Sequence, residues 1–168
     1  MKTLKLIISL FCLSANLVYA EATIQVKKIW DAAPHNGFPD LLLFKNEFFC
    51  TLREADSHVS NLNSGKVRVI KTRDGNSWDS VVLFDLGEGI DMREARLSVT
   101  PSGQIMAIVA AGIFKDGRYL ELATYVSYSD SKGKNFSPLE KVTFSPDIKP
   151  DLDWIWRVTW YNGYAYGI

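Results

Sequence analysis

Four arginines, Arg53, Arg93, Arg96 and Arg157, stand in this sequence among the carboxylates Asp40, Glu54, Asp56, Asp91, Glu94 and Asp153, with His58 and the close pair Trp154 and Trp156. Each residue type brings a chemistry. A guanidinium fork pairs bidentately with a carboxylate. A carboxyl group in a partly buried site has its pKa raised and can protonate a leaving oxygen. An indole ring stacks on the apolar face of a pyranose. Gathered in one place, they would make a site for an acidic sugar, with Arg53, His58, Arg93, Arg96, Arg157 and Trp154 as substrate-binding residues. The same residues also have a plainer reading, as salt-bridge partners between structural units, a solvated loop over residues 54–58, and tryptophan caps. His35 and His58 show no metal-ligand spacing, so neither a metal nor another cofactor is expected.

What gathers them must be built from strands. No segment after the first twenty residues keeps apolar positions three and four apart for a full helix. Short β-rich runs bounded by Gly, Asn, Asp, Ser and Pro dominate instead. Strands are expected near residues 24–30, 41–44, 47–52, 66–72, 80–84, 97–100, 104–110, 120–127, 140–144, 155–160 and 164–166. A strand-turn-strand unit recurs, starting at Asp40, Arg96 and Arg157, a period of about 60 residues. Each full unit holds four strands, the content of one β-propeller blade. The topology then places Asp40, the 53–58 loop, Asp91–Arg96 and Asp153–Arg157 on one rim. The turns between third and fourth strands lie on the other.

Thr72-Arg73-Asp74-Gly75-Asn76-Ser77-Trp78 occupies such a turn, and Ser129 to Phe136 holds the same place one unit later. In the second turn Ser131 stands at the Asp position and Phe136 at the Trp position. The first turn resembles the Asp-box, or BNR repeat, of sialidase-type propellers. The stretches Cys50–Glu54 with His58 and Gly65–Arg68, Gly89–Ser98, and Asp153–Trp160 are similar to the early part of bacterial exo-alpha-sialidase-like secreted proteins. The resemblance implies an all-β, sialidase-like six-bladed β-propeller, present as an incomplete arc of about two and a half four-stranded blades. It also implies a glycoside hydrolase of the neuraminidase type acting on terminal acidic sugars of glycans. Asp56 or Glu54 is then the acid/base, in the loop where the family's Asp lies. The family's Tyr nucleophile and later arginines would fall beyond Ile168, so this chain alone is expected to be inactive and poorly soluble. The family's first arginine stands in an Arg-Ile-Pro motif, and the matching Gly37-Phe38-Pro39-Asp40-Leu41 has none. That departure keeps open a non-catalytic propeller binding glycans or protein, and a hydrolase for a different sugar.

Length and composition set the remaining bounds. The chain has 168 residues, 19 Lys+Arg against 19 Asp+Glu, 47% hydrophobic residues and 12% aromatics. That balance excludes intrinsic disorder and leaves no basic excess for binding nucleic acid. Lys2 and Lys5, the apolar run from Leu6 to Leu13, and Val18-Tyr19-Ala20 have the order of a signal peptide cut after Ala20. The run is too short to span a membrane. A secreted or periplasmic protein of residues 21–168 is therefore expected, with Cys50 as its lone thiol.

Overall fold

The computed structural model describes residues 24–59 and 62–168, so the expected signal segment lies outside the described residues. The described chain is all β. The first antiparallel sheet runs in the order β1 (His35–Phe44), β2 (Glu47–Ala55), β3 (Lys66–Thr72) and β4 (Asp79–Phe84). The second runs β5 (Asp91–Val99), β6 (Ile105–Lys115), β7 (Arg118–Tyr128) and β8 (Glu140–Lys141), and a hairpin of β9 (Val158–Tyr161) and β10 (Tyr164–Gly167) follows. The expected strand at residues 24–30 does not form. Ile24 and Val26 are exposed, and the segment is held instead by Trp30, which packs on Cys50, Leu52 and Ile70 of the first sheet.

Period-2 alternation sorts each strand's side chains between two faces. On β2, Phe49 faces the second sheet and Cys50 and Leu52 face away from it. Phe49, Val67, Val69, Met92, Leu97, Ile105 and Val109 form one buried core between the two sheets. Burying a side chain of that size stabilises by about 1.5–3 kcal/mol, so the stacking of one sheet on the next is the main apolar term in the fold. Thr51 Oγ1 donates to the Ala95 carbonyl at 2.9 Å within that interface.

Inner strands β1 and β5 begin earlier than the sequence pattern indicates, because each continues through a β-bulge. The register slips between Gly37 and Asp40 on β1, and between Met92 and Ala95 on β5. Phe38 adopts a φ of 55° within the first slip. His35-Asn36-Gly37-Phe38-Pro39 has the composition of a turn, and Pro39 cannot donate to the ladder, so pairing is legible only in three dimensions.

At the opposite rim the β3–β4 turn is organised by Asp74. Its Oδ1 accepts from Asn76 N (2.8 Å) and Ser77 N (3.1 Å), and Gly75 supplies a φ of 74°. Trp78 packs against Cys50, Leu52 and Ile70. In the second sheet the acceptor is Asp130, one residue before the expected position at Ser131. Its Oδ1 accepts from Lys132 N (2.8 Å) and Lys134 N (2.9 Å), while Phe136 packs edge-on against Phe84 at 5.8 Å. The loop is one residue longer and the earlier carboxylate takes the role.

Candidate functional site

The bulged heads of β1 and β5 lie side by side at one rim. Asp40 ties them together: its Oδ2 accepts from Leu97 N (2.9 Å), and its Oδ1 pairs with Arg157 Nη2 (2.6 Å) ahead of β9. Three inner strands thus share one carboxylate. Asp153 clips the approach to β9 onto the second sheet by accepting from Thr124 N at 2.6 Å.

Arg53 and Asp91 form the centre of the rim and are both almost wholly enclosed. Arg53 donates through Nη2 to Asp91 Oδ1 (2.5 Å), through Nε to the Met92 carbonyl (2.9 Å), and through Nη1 to the Ser57 carbonyl (3.0 Å). A charge this deeply desolvated persists only when it is paired and hydrogen-bonded. Arg53 is therefore a scaffold that fixes the 56–59 loop to β5, with no free fork for a ligand. Gly65 is required beside it, since a Cβ there would collide with Asp91 Oδ1, the Met92 carbonyl and Arg53 Nε.

The other oxygen of Asp91 accepts from Arg93 Nη1 at 3.0 Å. Arg93 lies over the Phe38 ring at 5.4 Å, and Arg96 lies over the Trp156 ring at 4.5 Å while donating to the Pro39 carbonyl. Such cation–π contacts hold a guanidinium plane without consuming all its donors. His58 is exposed and stands edge-on to His35 (5.4 Å) and against Phe38 (5.0 Å). Burial, reinforced by Arg53, His58 and Arg93, holds His35 below the ordinary imidazole value. Trp154 reaches the edge of the group through Trp156, at 5.7 Å between ring centroids.

The expected residues therefore separate. Arg93, Arg96, Arg157, His58 and Trp154 come to the rim, and Arg53 sits beneath it. Glu54 does not join them. As the next residue along β2 it points to the opposite face, where Trp30 Nε1 (2.7 Å) and both arms of Arg68 bond its carboxylate. Burial pulls its pKa upward, but the Arg68 and Trp30 hydrogen bonds prevail and hold it below the usual value. Asp56 is at the rim, exposed, and accepts from the Ser57 and Ser64 hydroxyls.

Glu94 has the opposite character. It is nine-tenths buried, and its Oε2 has no hydrogen-bond partner among the described residues. Burial raises its pKa, and Arg93, Arg96, Arg53 and His58 only partly offset the shift. Among the described residues, five buried side-chain polar atoms lack a partner: His35 Nδ1, Asn36 Oδ1, Arg93 Nε, Glu94 Oε2 and Arg96 Nε. All five lie at the bulged ends of β1 and β5, Asn36 on the far face with its pairing partner Glu54 and the other four toward the rim. Buried polar atoms are almost always satisfied, so four such atoms together set this rim apart. Among the described residues no group of three or more His, Cys, Asp or Glu converges as a metal site would. Nor is any helix among them long and apolar enough to cross a membrane.

The fold itself has relatives. The chain is similar to Penicillium chrysogenum alpha-L-arabinanase complexed with arabinobiose (TM-score 0.52, 17% identity, covering 68% of this chain and 33% of that one). It is also similar to a sialidase (TM-score 0.50, 12% identity, covering 66% of this chain and 12% of that one). At these identities the likeness shows the fold, a glycoside-hydrolase-like arrangement of propeller blades, and this chain spans a third or less of either relative's length. No family model matches the sequence, nor does any curated protein.

Proposed function

We propose that this chain is part of a secreted, sialidase-like glycoside hydrolase that acts on terminal acidic sugars of glycans. The observation that carries the reading is the set of unpartnered buried polar atoms at the heads of β1 and β5. Buried donors with no internal partner gain free energy from a ligand that completes them. Arg93 and Arg96 are held by ring contacts and present planar donors suited to a sugar carboxylate. Arg157, half-exposed beside Asp40, adds a third guanidinium. Trp156, exposed and adjoining Trp154, offers a face for the pyranose. Arg53 positions this surface from below. Asp56 on the rim loop and Glu94 on β5 are the two carboxyl groups here that could serve as acid/base.

The two sheets and the third hairpin are read as about two and a half blades of a larger, six-bladed ring. Exposed Tyr161, Tyr164 and Tyr166 on the hairpin support this, as does a cleft of about 540 Å³ between the second sheet and the hairpin, lined by Met106, Ile108, Val126 and Val158. A neighbouring blade would cover that apolar surface.

The test is release of 4-methylumbelliferone from its α-sialoside by the complete secreted protein, extended beyond Ile168, against its Arg93→Ala/Arg96→Ala variant. Turnover that the variant lacks is the expected result, and equal rates in both would overturn the reading. Saturable binding on a glycan array without product would instead favour a binding propeller, consistent with Gly37 standing where the family's first arginine does.

A further inference from the structure

Of the carboxylates near this rim, all but one are committed to partners in the chain. Asp91 is divided between Arg53 and Arg93, Asp40 between the Leu97 N–H and Arg157, and Asp153 accepts from Thr124 N. Asp56 is bonded by Ser57 and Ser64, and Glu54 by Arg68 and Trp30 on the far face. Glu94 forms no ion pair within the described chain despite having three guanidinia nearby, and its Oε2 is enclosed without a donor. It sits in the β5 bulge, a device that re-aims side chains beside functional sites. The charged and titratable groups facing it are Arg93 and Arg96 from β5, Arg53 from β2, His58 from the β2–β3 loop and Tyr119 from β7.

Resting on the hydrolase reading above, we propose that Glu94 is the proton donor of the reaction. The neutral carboxyl passes its proton to the glycosidic oxygen as the bond from that oxygen to the anomeric carbon breaks and the electron pair leaves with the oxygen. Water then bonds to the anomeric carbon, and its proton returns to the Glu94 carboxylate, so the acid is regenerated and one water is consumed. Burial already favours the neutral form of Glu94, and the neighbouring guanidinia of Arg93, Arg96 and Arg53, with His58, oppose it. A substrate carboxylate seated on Arg93 and Arg96 would cancel that opposition, so binding itself would complete the protonation. Asp56 lies on the same rim, exposed and hydrogen-bonded by the Ser57 and Ser64 hydroxyls.

The experiment compares the protein with its Glu94→Gln variant on paired substrates, the 4-methylumbelliferyl and the methyl glycosides of sialic acid and of glucuronic acid. An alkoxide leaving group needs the proton, whereas the umbelliferone anion leaves without it. The expected result is a loss of about 100-fold or more in kcat on the methyl glycoside, a loss smaller than about 10-fold on the umbelliferyl one, and disappearance of the alkaline limb of the kcat–pH profile. Equal losses on both substrates, or none, would overturn the role of Glu94 and leave the hydrolase reading standing. Absence of turnover on every substrate by the complete protein, extended beyond Ile168, would overturn both. Titration of the Glu94 carboxyl carbon by NMR in the wild-type protein asks the question without a variant: an ordinary glutamate midpoint would overturn the proposal.

Discussion

At the turn rim, Asp74 and Asp130 each sit under a fan of backbone N–H groups, whereas at the opposite rim Glu94 is enclosed with an oxygen that nothing among the described residues bonds. The blades are the same and the residue chemistry is nearly the same. The surroundings differ. Hydrogen bonds from Asn76, Ser77 and Thr72 hold the Asp74 pKa below its usual 3.8, and those from Lys134, Asn135 and Lys132 do so for Asp130. Burial lifts Glu94 above 4.5. A carboxylate surrounded by donors belongs to the architecture. A carboxyl group desolvated without donors is unstable as an anion, and the fold retains it against that cost.

Breaking the rim at its centre should have the largest effect. Arg53→Ala leaves Asp91 buried with one guanidinium instead of two, and removing one partner of a buried pair costs about 3–5 kcal/mol. Thermal unfolding should show a matching fall in Tm. An unchanged Tm would mean that Arg53 is not the scaffold described above. Glu54→Gln should cost less, about 1 kcal/mol, because it weakens the bonds to Arg68 and Trp30 on the far face. It should leave the kcat of the proposed hydrolysis within a few-fold, and a collapse of kcat with normal folding would return Glu54 to the site.

The comparison sharpens further through pH. Because the folded pKa of Glu94 is raised, its stabilising contribution is present below pH 4.5 and lost as pH rises through the folded value. Glu94→Gln should therefore melt at a higher temperature than wild type at pH 7, with the gap closing below pH 4.5. For Asp74 the sign reverses. Its contribution is present above pH 3.8 and lost as pH falls below that through the lowered folded value. Asp74→Asn should melt slightly lower than wild type at pH 7, and the two curves should merge under acid conditions. Melting curves from pH 3 to 8 read both, and parallel curves for the two variants would remove the distinction between the rims.

Much of the fold was legible because it is written in local patterns. The short β-rich runs of β2, β3 and β6, the Asn162-Gly163 turn, and the repeat beginning at Asp40, Arg96 and Arg157 all correspond to observed strands and turns. Three features were not. Residues 24–30 read as a strand yet form none among the described residues, and the segment is held instead by Trp30 packing on the first sheet. Asp130 takes the turn role ahead of Ser131, because a loop one residue longer shifts which carboxylate lies under the amides. The β1 and β5 bulges hide in segments whose Gly and Pro content signals a turn. Glu54 is expected at the site only from the resemblance, which places the family's acid in that loop, whereas the register slip decides which of the rim acids turn inward.

By itself the sequence determined an all-β chain of repeated four-stranded units and the set of charged and aromatic residues available at their ends. Period-2 alternation and turn chemistry act over a few residues and survive without knowledge of the partners. Only the tertiary structure decided that Arg53 is buried under the rim, that Glu54 faces Arg68 and Trp30, and that Glu94 is enclosed among guanidinia without a bond. Burial and pairing depend on which sheet lies against which face, and that is settled by packing between units far apart in the chain.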